Sequence, residues 1–152
     1  MRISVASAVL LLIVCLPAAR ALSASGDDLL TPAALADLEL RADHAQPKEQ
    51  CFLYTQLVHD YVEVAGKQMA AGDMDQATTS LKRVQTFADR IHQALAKDTK
   101  RVKNAEMLLH MAAFHLSQLM HLISSEDEAL VQTTLKQLDK LHDELLTQVF
   151  SH

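Results

Sequence analysis

Apolar residues recur at alternating steps of three and four along four separate stretches of this chain. One stretch is Cys51, Thr55, Val58, Val62, Ala65 and Met69, widened by Tyr54 and Tyr61. The next is Met74, Ala77, Leu81, Val84, Ala88, Ile91 and Leu95. A third is Val102, Ala105, Leu109, Ala112, Leu116, Leu119 and Ile123, and the last is Val131, Leu135, Leu138, Leu141, Leu145 and Val149. That spacing puts each set on one stripe of an α-helix and predicts closely packed helical seams. No stretch alternates as a strand does.

Punctuation sets the bounds. Thr31 is placed to cap, and Pro32 to begin, a short helix over 32–44. Pro47 restarts the chain, and a second helix is predicted over 48–70. Gly72 suits its C-terminal cap, and Asp73 can cap a third helix over 74–97. The fourth is predicted over 99–123 and the fifth over 126–149, after the turn "SSEDE". Short connections imply that consecutive helices run antiparallel. The expected fold is all-α: an up-down antiparallel bundle of four long helices plus a short N-terminal one, forming a single domain over 31–152. An offset of 54 lays "TSLKRV" (79–84) on "TTLKQL" (133–138) and the seam of the second helix on that of the fourth, Cys51 on Ala105 and Val58 on Ala112, as two copies of one hairpin would.

The N-terminus follows another pattern. Arg2 precedes an apolar run, Ile3–Leu16, that Pro17 breaks, and Ala19 and Ala21 fill the small-residue positions of a cleavage site. Residues 1–21 are expected to be a secretory signal peptide and 22–30 a disordered leader, so the mature chain is exported to the periplasm or beyond the cell. Cys15 leaves with the signal; Val14 before it is bulkier than a lipoprotein signal wants. Cys51 then remains as a lone thiol on an apolar seam, expected to be buried and unbridged.

Charge narrows the partners. The chain holds 19 acidic and 14 basic residues. Losing Arg2 and Arg20 widens that excess, and a chain this acidic is a poor nucleic-acid binder. No stable membrane span is expected in the mature chain. Nucleophile elbows, phosphate loops, zinc-protease signatures and covalent-haem motifs are all missing from the sequence, which points away from an enzyme.

The eight histidines are the remaining candidate chemistry. On the fourth helix His110 and His121 share a face but lie about 16 Å apart, and His115 points roughly 140° from His110. That helix therefore carries no cluster by itself. Across helices, His59, His110 and the pair Asp139 and His142 fall at one height, with Glu63 and Glu106 a turn away. A metal site of His59, Glu106, His110, Asp139 and His142, or a b-type haem on His142, is the alternative to a protein without cofactor. His142 follows Leu138 by four and precedes Leu145 by three, so its ring is expected to face the interior.

The fourth helix is apolar almost all round. Leu108, Met111, His115 and Leu122 lie off its seam and are expected to be covered by the first helix or by a second protein molecule. A protein partner, or self-association through residues 99–123, is the resulting expectation; a binding or structural role in the cell envelope follows from it.

Overall fold

The computed structural model describes residues 30–97 and 101–151. The signal segment and most of the leader expected from the sequence, residues 1–29, lie outside them. The chain folds as α1 (Pro32–His44), α2 (Pro47–Ala70), α3 (Met74–Leu95), α4 (Val102–Leu119) and α5 (Glu128–Ser151), with a 3₁₀ turn at Met120–Leu122 after α4. The described residues contain no strand. They form the all-helical bundle that the seams predict, four long helices and a shorter first one.

The ends show why the helices stop where they do. Thr31 Oγ1 accepts from the Ala34 amide at 3.2 Å and caps α1. At the end of α2, Gly72 takes φ +79°, a conformation that costs a glycine nothing. The Gly72 amide then bonds to Met69 O and the Asp73 amide to Gln68 O, closing a Schellman motif. Asp73 turns and caps α3, accepting from the Gln76 amide.

The connection from α3 to α4 departs from expectation. α3 ends at Leu95 rather than 97, and α4 begins at Val102 rather than 99. Arg101, which precedes it, sits at φ +60°, outside the helical region. Its guanidinium carbon lies 3.5 Å from the centroid of the Phe52 ring, a cation–π contact that offsets the backbone cost. α4 also tightens into its 3₁₀ turn after Leu119, so α5 starts two residues later than expected. Ser124 organises that turn: its carbonyl accepts from Asp127 and Glu128, and its hydroxyl donates to Asp127.

The seams meet in one core. All six seam residues of α2 are buried, as are Ala77, Leu81, Val84, Ala88, Ile91 and Leu95 of α3 and Ala105, Leu109, Ala112, Leu116 and Leu119 of α4. On α5 the stripe is Val131, Thr134, Leu138, Leu141 and Leu145. Cys51 is buried and free, as expected; burial pushes its thiol up to about 12 against the weaker opposing effect of a bond from Thr55.

Helix direction alternates along the chain, but neighbours in sequence are not all neighbours in space. α2 packs on α3 and on α4, and α5 on α4 and on α3. Phe52 meets Arg101 and Glu63 meets His115, so α2 and α4 run parallel. Gln85 meets Thr134 and His92 meets Glu144, so α3 and α5 do too. Two hairpins thus stand side by side, like helix on like helix. Contacting residues across them are 48 to 53 positions apart, close to the offset of 54 that aligns the two hairpins in sequence.

α1 lies across the first hairpin. Leu35 and Ala42 are buried. Its carboxylates pair with α3: Glu39 with Arg83, and Asp43 with Arg90. Both guanidiniums lie over Phe87, which stacks between Tyr54 and Tyr61 at centroid distances of 6.2 and 5.7 Å.

Candidate functional site

Two features stand apart from the core: a bare apolar ridge on α4, and a set of histidine–carboxylate contacts along the helix interfaces.

The ridge arises because α4 has more apolar residues than its seam can bury. Ala105, Leu109, Ala112 and Leu116 face inward, while Met107, Met111 and Phe114 fall on the opposite side. They are 54%, 48% and 59% exposed, and Leu122 beyond them is 60% exposed. The expected cover by α1 does not occur. α1 is drawn instead to the α2–α3 hairpin by Leu35, Ala42 and the two arginine pairs. Leu108 is half-buried against the core, and His115 is half-buried against Glu63, so of the four off-seam residues Met111 and Leu122 stay bare. Lys103 lies in line with the ridge at one end and Gln118 at the other, both exposed. From Met107 to Ser125 the chain carries no Asp, Glu, Lys or Arg.

The histidines are arranged differently from a single layer. His142 is 21% exposed at the α4–α5 edge rather than facing the interior, because Leu141 occupies the inward position beside it. Its Nε2 lies 2.8 Å from Glu106 Oε1. The His110 ring packs on it at 5.3 Å between centroids, tilted by 37°. Three of the five proposed ligands are thus neighbours. The other two lie elsewhere: Asp139 is exposed on α5, and His59 Nδ1 lies 3.1 Å from Asp60 Oδ1 on α2. That hydrogen bond raises the His59 pKa, with the charges of Asp60 and Glu63 adding to it, while desolvation opposes it. Among the described residues no three His, Cys, Asp or Glu side chains are grouped so as to hold a metal ion.

Two further contacts were not visible in the spacing. His115 Nδ1 approaches Glu63 Oε1 at 2.5 Å across α2 and α4, and His92 Nδ1 approaches Glu144 Oε2 at 2.6 Å across α3 and α5. Asp60 and Glu63, both polar positions off the seam of α2, hold His59 and His115. The sequence offers only the offset of 54 between the hairpins; their parallel stacking, which sets a residue near one about fifty positions later, is visible in the fold alone. The α2–α4 approach is close there because residue 66 is a glycine: a Cβ on it would meet Leu119 Cδ1 at 3.2 Å and the His115 ring at 3.4 Å.

Searches of protein-family models, of curated proteins and of solved structures find no match to this chain.

Proposed function

We propose that this protein is an exported helical bundle that works by binding a protein surface through the outer ridge of α4, in a binding or structural role rather than a catalytic one. The observation that carries this reading is the ridge itself. Met107, Met111, Phe114 and Leu122 are each about half exposed on a segment with no formal charge. Apolar surface of that extent, on the order of 400 Å², is in the range that marks interaction sites on otherwise polar proteins. Methionine and phenylalanine are also the side chains that interfaces favour, one adaptable and one large.

Export is supported by the Ile3–Leu16 run followed by Ala19 and Ala21, and it places the mature N-terminus at Leu22. Among the described residues no helix is long and apolar enough to cross a membrane. Intact-mass measurement of exported protein tests the N-terminus; retention of Met1 overturns export by cleavage. A photo-crosslinking residue at position 111, placed in the native compartment, tests the ridge. Protein crosslinks are expected, and they should disappear when Phe114→Glu is added. A crosslinker that meets only water and lipid overturns the reading.

A second reading, a metal or b-haem carrier, draws its support from the contact of Glu106, His142 and His110. Elemental analysis and a visible spectrum of protein from its native compartment separate the two. Stoichiometric metal or a haem band that is lost in both His142→Leu and His110→Leu would replace the binding-module reading.

A further inference from the structure

The ridge of α4 can pair with itself, residue on residue, about the midpoint of the helix. α4 has 18 residues, so it is about 27 Å long, and its midpoint falls between His110 and Met111. Lys103, Met107, Met111, Phe114 and Gln118 form one line along it. If a second α4 is laid antiparallel about that midpoint, Met107 meets Phe114 of the other copy twice, and the centre is Met111 against His110. Lys103 meets Gln118, and eight residues beyond Gln118, past the 3₁₀ turn, the chain enters its acidic turn, Glu126, Asp127 and Glu128.

We propose that the occupant of the ridge is a second copy of this chain, packed antiparallel on α4 about a two-fold axis between His110 and Met111. The proposal rests on the reading of the ridge as a protein-binding surface, and it names the partner. Charge selects this partner. The chain has five more acids than bases, so most faces of two copies repel each other. Here the central strip carries no formal charge, and at both ends Lys103, at the start of α4, is set toward the end of the other copy's α4, which leads into the acidic turn. A two-fold contact needs this kind of pairing, in which a patch complements itself. Sulfur-to-ring contacts between Met107 and Phe114 suit the middle of such an interface.

Area sets the strength. The ridge offers about 400 Å² of apolar surface per copy, half of the roughly 800 Å² that each partner brings to an interface of standard size. The dimer is therefore weak and reversible, with Kd on the order of 10–100 μM.

Sedimentation equilibrium of protein purified from its native compartment tests the proposal, over roughly 1–300 μM to span that Kd. The weight-average mass is expected to rise from monomer towards dimer. Met111→Glu should weaken association more than tenfold while keeping the helical circular dichroism and the melting temperature. Lys103→Glu and Glu126→Lys should each weaken it severalfold, and the two together should restore it. A wild type that remains monomeric throughout, a dimer that survives Met111→Glu, or a charge swap that restores nothing overturns the antiparallel dimer. The crosslinker at position 111 separates this failure from failure of the ridge itself. Crosslinks to another protein with a monomeric wild type remove the second copy and leave the ridge as a binding surface. No protein crosslinks and no dimer remove both.

Discussion

Gly66 lies inside α2, four residues before its last residue Ala70, where intrinsic helix propensity favours alanine by about 1 kcal/mol. On propensity alone Gly66→Ala stabilises the protein. The packing argues the other way. The new methyl meets Leu119 Cδ1 at 3.2 Å and the His115 ring at 3.4 Å, both on α4. Adding a methyl group to a packed interface costs typically about 1–3 kcal/mol. Leu119 ends α4 at a 3₁₀ turn, and its side chain can yield by a few tenths of an ångström, so the lower half of that range applies. The net expectation is destabilisation of about 0–1 kcal/mol, a fall of up to roughly 4 °C in Tm for a domain of this size. Leu119→Ala removes the obstacle at its own cost, since it empties a buried site. In the double variant the methyl has room and the propensity gain returns. A double-mutant cycle by urea unfolding should therefore show the pair less destabilised than the sum of the singles, by about 1 kcal/mol or more. If Gly66→Ala stabilises by the full propensity value, or if the two changes are additive, then α2 and α4 do not approach as closely as described and the account of this interface fails.

Phe87→Ala should cost about 3–5 kcal/mol in chemical denaturation, because Phe87 is fully buried between Tyr54 and Tyr61 beneath Arg83 and Arg90. A cost under about 1 kcal/mol contradicts the stacked cluster that anchors α1. Cys51, its thiol pushed up to about 12 by burial, should resist maleimide or disulfide reagents at pH 8 in the native protein and react at once in denaturant. Fast native labelling places the thiol outside the core. His59 should titrate above its usual range by NMR, and Asp60→Asn should lower it, since the Asp60 hydrogen bond is the first cause of the shift. A pKa raised by folding contributes stability that is full below the unfolded value of about 6.5 and is lost as pH rises through the folded value. Asp60→Asn should thus lower stability at pH 5.5 more than at pH 8, and an equal loss at both removes the pair's role.

The residues that dock α1, and those that pair the hairpins, explain where sequence reasoning stops. Thr31, Pro32, Gly72 and Asp73 act within a few residues of themselves, through backbone conformation and local hydrogen bonds, so their positions are readable without a fold. The seams are readable for the same reason: a period near 3.6 is a property of one helix, and the core residues of α2, α3 and α4 follow from it. Where a local backbone feature depends on a distant partner, the reading slips. The start of α4 moves from 99 to Val102 because Arg101 takes a left-handed conformation over Phe52, a residue 49 positions earlier.

Over the described residues, sequence alone determined the four long helices and one short one, where most of them begin and end, the inward stripes of α2, α3 and α4, and that Cys51 is buried; on α5 Thr134 is buried where Leu135 and Val149 were expected. Tertiary structure alone decided which helices touch. It sent α1 to α2 and to Arg83 and Arg90 of α3 instead of to α4, which left Met107, Met111, Phe114 and Leu122 uncovered. It turned His142 to the bundle edge beside Glu106, and it gave Glu63 to His115 and Glu144 to His92. The physical reason is that amphipathicity specifies that a face must be buried but not against what. Four similar stripes can close a core in more than one lateral order, and that choice rests on the fit of particular side chains across the interfaces, such as the absence of a Cβ at Gly66 where α4 crosses it.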